Sequence, residues 1–413
     1  MICFQSTLSN PSTVSSRRPK VLVFSSLFPS EAQPTAGVFV RERMFNVAKQ
    51  VELCVVSPKP WFPLQGLLRL IRPHFRPATA RHELQSGIDV FQPRYLSFPG
   101  ILKQFDGFLM ALGVWSTVRR LQQQGRVNLI DAHFAYPDGY AATLLGKWLS
   151  IPVTITMRGT EHRHGADPAL RGRVKAALHA ATHVFGVSDD LCRVARELGV
   201  PGDKLQVVGN GVDLDKFQPS DKALARQALG LAPHDKVLVS VGGLVERKGF
   251  HRVIELMPEL IVRVPNLRLL IVGGATAEGN NRAELEAQVA DLKLQNQVQF
   301  LGSKPHDQLA AILSAADVFV LATRNEGWAN VFLEAMACGL PVVTTDVGGN
   351  REVVVSEDYG AVVPFGDKAA LSTALAAALN HHWDTQKIVT YAQSNTWGQR
   401  VEVLIQKYQD ILS

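Results

Sequence analysis

Short runs of β-branched and aliphatic residues alternate with helical patterns along the whole chain. In the first half the runs are Val21 to Phe24, Val51 to Val56, Asn128 to His133, Val153 to Met157 and His183 to Ser188. Between the first two lies a stretch from about Phe39 to Gln50. It places Val40, Met44, Val47 and Ala48 on one side of a 3.6-residue period. The pattern restarts after Asn210. Val237 to Val241 runs into Gly242-Gly243, and Leu267 to Val272 into Gly273-Gly274; then come Val298 to Leu301, Val318 to Leu321 and Pro341 to Thr345. Strands that read as continuous apolar runs, each followed by a helix, predict parallel sheets covered on both faces. The fold expected is α/β: two doubly wound, Rossmann-like domains facing a central cleft. The expected divisions are a disordered lead over 1–19, a first domain over 20–212, a second over 213–393, and a C-terminal helix over 394–413 that packs back on the first domain.

Length and composition agree with that plan. The chain has 413 residues, 46% of them hydrophobic and 19% charged, enough for two ordinary cores. The formal net charge is +6. The cations form no long block, so a nucleic-acid partner is not expected. Cys3, Cys54, Cys192 and Cys338 lie far apart, which fits neither a disulfide framework nor a zinc site. His162, His164, His381 and His382 have no ligand spacing. Residues 1–20 lack the apolar stretch of a signal peptide, and no segment reaches the roughly twenty apolar residues of a membrane span. The nearest, Gly107 to Val118, reads as a buried helix. The expected location is therefore the cytoplasm, with the chain peripheral on the inner membrane as an option. Trp61 to His82 mixes aromatic and aliphatic residues with Arg69, Arg72, Arg76 and Arg81 and has no acid. That mixture suits an anionic membrane surface; a loop packed on its own domain is the alternative.

The densest chemistry lies after the strand Val318 to Leu321, in the run Asn325-Glu326-Gly327-Trp328-Ala329-Asn330-Val331-Phe332-Leu333-Glu334. Glu326 falls in the loop at the strand's carboxyl end, and Gly327 permits a sharp turn. A helix is expected to begin at Ala329 or Asn330. Its first N–H groups then point at whatever occupies the cleft, a good environment for phosphate or sugar oxygens. Glu334 lies deeper, among apolar neighbours, where an unpartnered carboxylate is costly; a diol such as a ribose would satisfy it. A second turn, Gly242-Gly243-Leu244-Val245-Glu246-Arg247-Lys248-Gly249, places two adjacent cations between glycines at a strand's end. By themselves these cations fit a solvated loop as well as a diphosphate site.

The Glu326-x7-Glu334 run closely resembles family 4 retaining glycosyltransferases of the GT-B fold, and the resemblance extends over most of the chain. It implies that Glu326 contacts sugar hydroxyls, that Glu334 holds the ribose of a nucleotide-diphosphate sugar, and that Gly327, Trp328, Ala329, Asn330 and Val331 line the donor. It also implies that Arg247 and Lys248 neutralise the diphosphate, with Gly243 and Gly302 alongside. No metal or other cofactor is expected, the two cations and the helix terminus replacing one. Trp328 and Ala329 stand where many relatives carry Phe and Gly, which leaves the sugar open.

On the acceptor side the resemblance points to Gly37, His133 and Arg158, with His133 near the transferred sugar. Gly37 stands alone where the family often has two glycines. Each has a plainer reading: a turn glycine, a core histidine and an interface salt bridge. Asp213 and Asp215 form an Asp-x-Asp that in another fold class holds a metal; here, after Asn210-Gly211, a hinge is expected. Pro60-Trp61-Phe62-Pro63 and Gln92-Pro93-Arg94-Tyr95 are similar to bacterial surface-polysaccharide enzymes of the teichuronic-acid type. The expected acceptor is a saccharide or lipid-linked saccharide. A nucleotide-sugar epimerase of the same plan, or a catalytically silent sugar-nucleotide-binding subunit, remains the alternative. An NAD-dependent dehydrogenase does not fit, because no Gly-x-Gly-x-x-Gly with a following acid is present.

Overall fold

The computed structural model describes residues 18–63, 65–71, 75–276 and 278–413. The lead expected at 1–19 falls almost wholly outside them, as does Arg72.

The first sheet contains β1 (Lys20–Phe24), β2 (Glu52–Val56), β4 (His82–Gln85), β5 (Ile88–Phe91), β7 (Leu129–His133), β8 (Val153–Met157), β9 (His183–Gly186) and β10 (Leu205–Val207). A separate parallel pair is formed by β3 (Lys59–Trp61) and β6 (Arg94–Leu96). In space the large sheet runs β10-β9-β8-β7-β1-β2-β5-β4, with only β4 antiparallel. The second sheet contains β11 (Lys236–Val241), β12 (Leu267–Val272), β13 (Val298–Gly302), β14 (Val318–Leu321), β15 (Val342–Thr345) and β16 (Gly360–Val363). It runs β13-β12-β11-β14-β15-β16, all parallel. Alternate residues of one strand feed opposite faces. Leu22 and Phe24 join one core, while Val21 and Val23 join the other. Both faces are covered, which is why the strands lack polar alternation.

Each sheet reverses its winding once, between β1 and β7 in the first and between β11 and β14 in the second. Loops diverge at such a point and leave a crevice at the carboxyl ends of the strands. The two crevices face one another.

The chain crosses between the sheets twice, side by side. Val212 N donates to Asn395 O at 3.0 Å, and a β-bridge joins Val212 to Thr396. The C-terminal helix Trp397–Leu412 then lies on the first domain. Val401, Leu404, Ile405 and Tyr408 share a core with Val40, Met44 and Val47 of the helix Val38–Val47.

One reading of the sequence needs correction. The helix Asp106–Gln123 is buried on one face only, through Met110, Ala111, Val114 and Val118. Phe108, Leu112 and Trp115 on its other face are 44%, 52% and 36% exposed. Trp61 to His82, which the sequence leaves as a membrane-facing segment or a loop packed on its own domain, is built from more than one element. It holds part of β3 and the helix Gln65–Ile71, and Arg69 and Arg76 turn inward to donate to the carbonyls of Arg76 and Ser97. Among the described residues, no helix is long and apolar enough to cross a membrane.

Candidate functional site

The two switch points enclose a cleft of about 540 Å³. On the second domain, the loop after β11 forms a short turn, Glu246–Lys248, closed by Gly249 at φ +78°. A Cβ on Gly249 would stand 1.9 Å from the carbonyl oxygen of Ala322, so only glycine lets this turn approach the loop after β14. The Arg247 carbonyl accepts from Arg324 N at 2.7 Å, and Thr323 Oγ1 lies 3.0 Å from it. Residues 76 and 77 apart in sequence are thereby brought together. Lys248 Nζ donates to Glu326 Oε1 at 2.5 Å, Thr323 Oγ1 donates to the same oxygen at 3.1 Å, and Arg247 Nη1 stands 3.6 Å away. The Glu326 carboxylate is nearly buried, at 8% side-chain exposure. Two cations and a hydroxyl hold its position.

The helix expected near Ala329 spans Asn330–Ala337, with Ala329 as its N-cap. Gly327, Trp328, Ala329, Asn330, Val331 and Glu334 all lie on the cleft wall. Burial, with a smaller push from Glu42, raises the Glu334 carboxyl to about 7, against the pull of Lys216. Gly243 also lines the cleft. Gly302 does not: at φ +71° it ends β13, and its carbonyl accepts from Gly273 N at 3.0 Å.

The residues expected on the acceptor side divide differently. Arg158 lines the cleft and donates to Asn210 Oδ1 at 2.9 Å; Asn210 Nδ2 in turn donates to Asn330 Oδ1 at 2.7 Å, joining the two domains. The domains touch through glycine backbone. A Cβ on Gly327 would meet the Arg158 carbonyl oxygen at 2.4 Å. Gly37 caps the helix Val38–Val47 at φ +70°, where a Cβ would fall 2.3 Å from the Leu27 carbonyl oxygen. Its need for glycine comes from the chain path, and Leu27 and Phe39 supply the neighbouring cleft wall.

His133 is a correction. It is fully buried and has no surface on the cleft. In β7, Asp131 and His133 share one face, turned toward the C-terminal helix. Arg158 donates to His133 Nδ1 at 3.0 Å, which leaves the imidazole proton on Nε2. Burial and the nearby Arg158 and Arg43 hold its pKa well below the usual value, so the ring is neutral. In this conformation His133 orients Arg158.

Behind it, Tyr408 donates to the buried Asp131 carboxyl at 2.9 Å, and Thr154 donates at 2.7 Å. Arg43 lies beside them, fully buried, and donates to Val208 O at 3.1 Å. The C-terminal helix therefore ties into the strand that carries His133. Tyr408→Phe should cost about 1–3 kcal/mol, the range for leaving a buried polar group without its partner. Thermal unfolding of the variant checks this: a transition unchanged within about 1 °C would show that the bond contributes nothing.

Sequence reading missed Glu278. Its carboxylate takes Arg247 in a two-point grip, with Nε and Nη2 donating at 2.6 and 2.8 Å, and the guanidinium holds it below the usual carboxylate range. It lies in the loop after β12, and no spacing links it to Arg247. Asp213 and Asp215 hold no metal arrangement. Asp213 pairs with Lys216 at 2.9 Å and accepts from Asp215 N at 3.1 Å, and no cluster of metal-ligating side chains occurs among the described residues. A larger hollow of about 840 Å³ opens beside the helix Val38–Val47. Its Lys216 is already taken by Glu42 and Asp213.

Residues 221–395 match the family Glycosyl transferases group 1, and residues 68–216 match Glycosyltransferase Family 4. The protein named "Putative teichuronic acid biosynthesis glycosyltransferase TuaC" from Bacillus subtilis (strain 168) is 30% identical over 372 residues, covering 88% of this chain and 89% of its own. Among solved structures, sucrose-phosphate synthase from Thermosynechococcus elongatus superposes with a TM-score of 0.73 at 22% identity, over 96% of this chain and 99% of that one. Anabaena HepE in complex with UDP superposes with a TM-score of 0.69 at 21% identity, over 95% and 99%. These two share the fold.

Proposed function

The chain belongs to the GT-B glycosyltransferases of group 1 and family 4, and from that premise we propose that it transfers a sugar, with retention, from a nucleotide-diphosphate sugar to a saccharide or lipid-linked saccharide in cell-surface polysaccharide synthesis. The observation that carries the reading is the meeting of Arg247, Lys248 and Glu326 with the N-terminus of the helix Asn330–Ala337 in one cleft wall. Uridine diphosphate, found in the HepE structure, is the first nucleotide to test.

In this reading the diphosphate lies against Arg247, Lys248 and the helix N-terminus. It displaces Glu278, whose grip on the guanidinium has the geometry of a phosphate contact. Glu326 accepts from sugar hydroxyls. Its own oxygens are pinned by Lys248 and Thr323, which suits an orienting group better than a covalent nucleophile. As the anomeric bond breaks, negative charge grows on the leaving phosphate beside two cations, with no metal required. The departing phosphate takes the acceptor's proton. The domains approach closely at Gly159 and Gly327, and closure there would shield the reacting centre from water. The enzyme works in the cytoplasm or on the cytoplasmic face of the membrane.

Glu334 provides a test. A ribose diol donates to an ionised carboxylate, so binding should improve as Glu334 loses its proton. With its pKa near 7, the affinity for UDP-glucose, used without acceptor, should rise about tenfold from pH 6 to pH 8. Such a donor has no terminal phosphate titrating near 6. In Glu334→Gln the rise should vanish. A wild-type affinity flat over this range would remove Glu334 from the donor site, and failure of any nucleotide sugar to bind would remove the donor reading. For the free protein the sign is opposite. Ionisation is easier in the unfolded chain, so this group opposes folding increasingly between about pH 4.5 and 7 and by a constant amount above.

A further inference from the structure

An unpartnered apolar face lies on the first domain, and its residues do not line the cleft. Phe105, Phe108, Leu112 and Trp115 fall at positions i, i+3, i+7 and i+10, and all are exposed. The stripe begins in the short turn Lys103–Phe105, beside exposed Leu102. It ends at Arg119, whose guanidinium lies 4.9 Å over the Trp115 ring. Trp148 of the neighbouring helix Tyr140–Leu149 extends it, packing edge-on to Phe108 at 6.5 Å and remaining 40% exposed. Exposed aromatic and aliphatic side chains in register over three turns cost the free protein solubility unless something covers them.

The exposed charge along this face is basic, its one acid, Asp106, being buried and paired with Lys103. Neither 107–130 nor 139–160 contains an Asp or Glu, whereas Arg119, Arg120 and Lys147 stand exposed along them. Between Trp61 and Arg126 there are nine Lys and Arg against three Asp and Glu, an excess equal to the whole chain's net +6. The face also has a fixed relation to the cleft. Gly107 N donates to Tyr136 Oη at 3.3 Å, and Tyr136 donates to the Lys103 carbonyl. Tyr136 lies in the turn that directly follows His133, and Ala135 N of that turn donates to Glu161 at 2.9 Å. Glu161 also accepts from the N–H groups of Arg158 and Gly159 on the cleft's first-domain side. The amino end of the stripe is thus built into the acceptor wall.

We propose that the Phe105–Trp115 face of the helix Asp106–Gln123, with Trp148, docks on an anionic lipid surface, with Arg119, Arg120 and Lys147 at headgroup level. Aromatic rings beside basic side chains suit the boundary between acyl chains and headgroups. Twofold pairing of two copies through this face would bring the same cations together with no acid to offset them. A bilayer here sets the acceptor wall at the lipid boundary, where a lipid-linked saccharide is presented. Docking does not depend on which donor is used.

The test is co-flotation of the full chain with phosphatidylglycerol–phosphatidylcholine vesicles and with phosphatidylcholine vesicles alone. Binding is expected to the first, weakened by salt, and little to the second. The triple variant Phe108→Ser, Leu112→Ser, Trp115→Ser should lose at least tenfold in binding. Arg119→Glu with Lys147→Glu should remove the preference for phosphatidylglycerol. Both variants should keep the wild-type melting transition and UDP-glucose affinity, which separates this proposal from the donor reading. It is overturned if the wild type does not float, if the triple variant floats equally well, or if the wild type is a dimer that the triple variant makes monomeric.

Discussion

Lys248→Ala is expected to lower kcat/KM by about 10²- to 10³-fold, or roughly 3–4 kcal/mol, with most of the loss in kcat. The ammonium lies in a cleft wall at 15% side-chain exposure, where solvent screens it less than at an open surface. A cation about 4 Å from a full charge contributes on the order of 4 kcal/mol at an effective dielectric of about 20, before desolvation is subtracted. That interaction grows as charge develops on the leaving phosphate, so its removal slows the chemical step more than it weakens ground-state binding. The substitution also withdraws the 2.5 Å partner of Glu326 and frees the carboxylate proposed to orient the sugar. Arg247→Ala should act more on donor affinity, since its side chain is 30% exposed and already paired with Glu278. Steady-state kinetics with a nucleotide sugar and acceptor check both. A Lys248→Ala enzyme altered in KM alone would mean that the ammonium binds donor without assisting departure.

Gly348→Ala should damage the site although no ligand is expected to touch that residue. Gly348 has φ +52°, and a Cβ there would lie 1.7 Å from the carbonyl oxygen of Glu326. No side-chain adjustment relieves an overlap with backbone, so the 326–327 loop must move. A left-handed backbone costs a non-glycine residue about 1–2 kcal/mol before the clash is added. A total of at least about 2 kcal/mol should lower the melting temperature by roughly 4–8 °C for a domain of this size. UDP-glucose binding should fall with it, because displacing the loop moves both the Glu326 carboxylate and the helix N-terminus. Differential scanning calorimetry and equilibrium binding check the two effects. An unchanged melt with unchanged binding would contradict the close approach of these loops.

Local order accounts for what could be read without coordinates. Apolar runs ending in glycine specify parallel strands and tight turns, because alternate side chains must both be buried and the backbone must reverse at each sheet edge. The Glu326 to Glu334 run was legible because strand, turn and helix follow one another in the chain. Glu278, Asn210 and Tyr408 carried no such signal. Each acts on a partner at least 31 residues away, and an exposed Glu, a hinge Asn and a helical Tyr look ordinary in their own surroundings.

For this protein, then, the order of residues determined two doubly wound domains, a glycine-bounded basic turn, and an acid-turn-helix segment, all properties of neighbours within about twenty positions. Only the tertiary structure decided which faces and partners those elements received. Packing against the C-terminal helix turned His133 inward to hold Arg158. Packing of the helix Asp106–Gln123 by one face alone left Phe108, Leu112 and Trp115 outside. A helical period specifies that apolar faces exist, but which face is covered depends on elements distant in sequence, whose approach is set by the closure of the whole core.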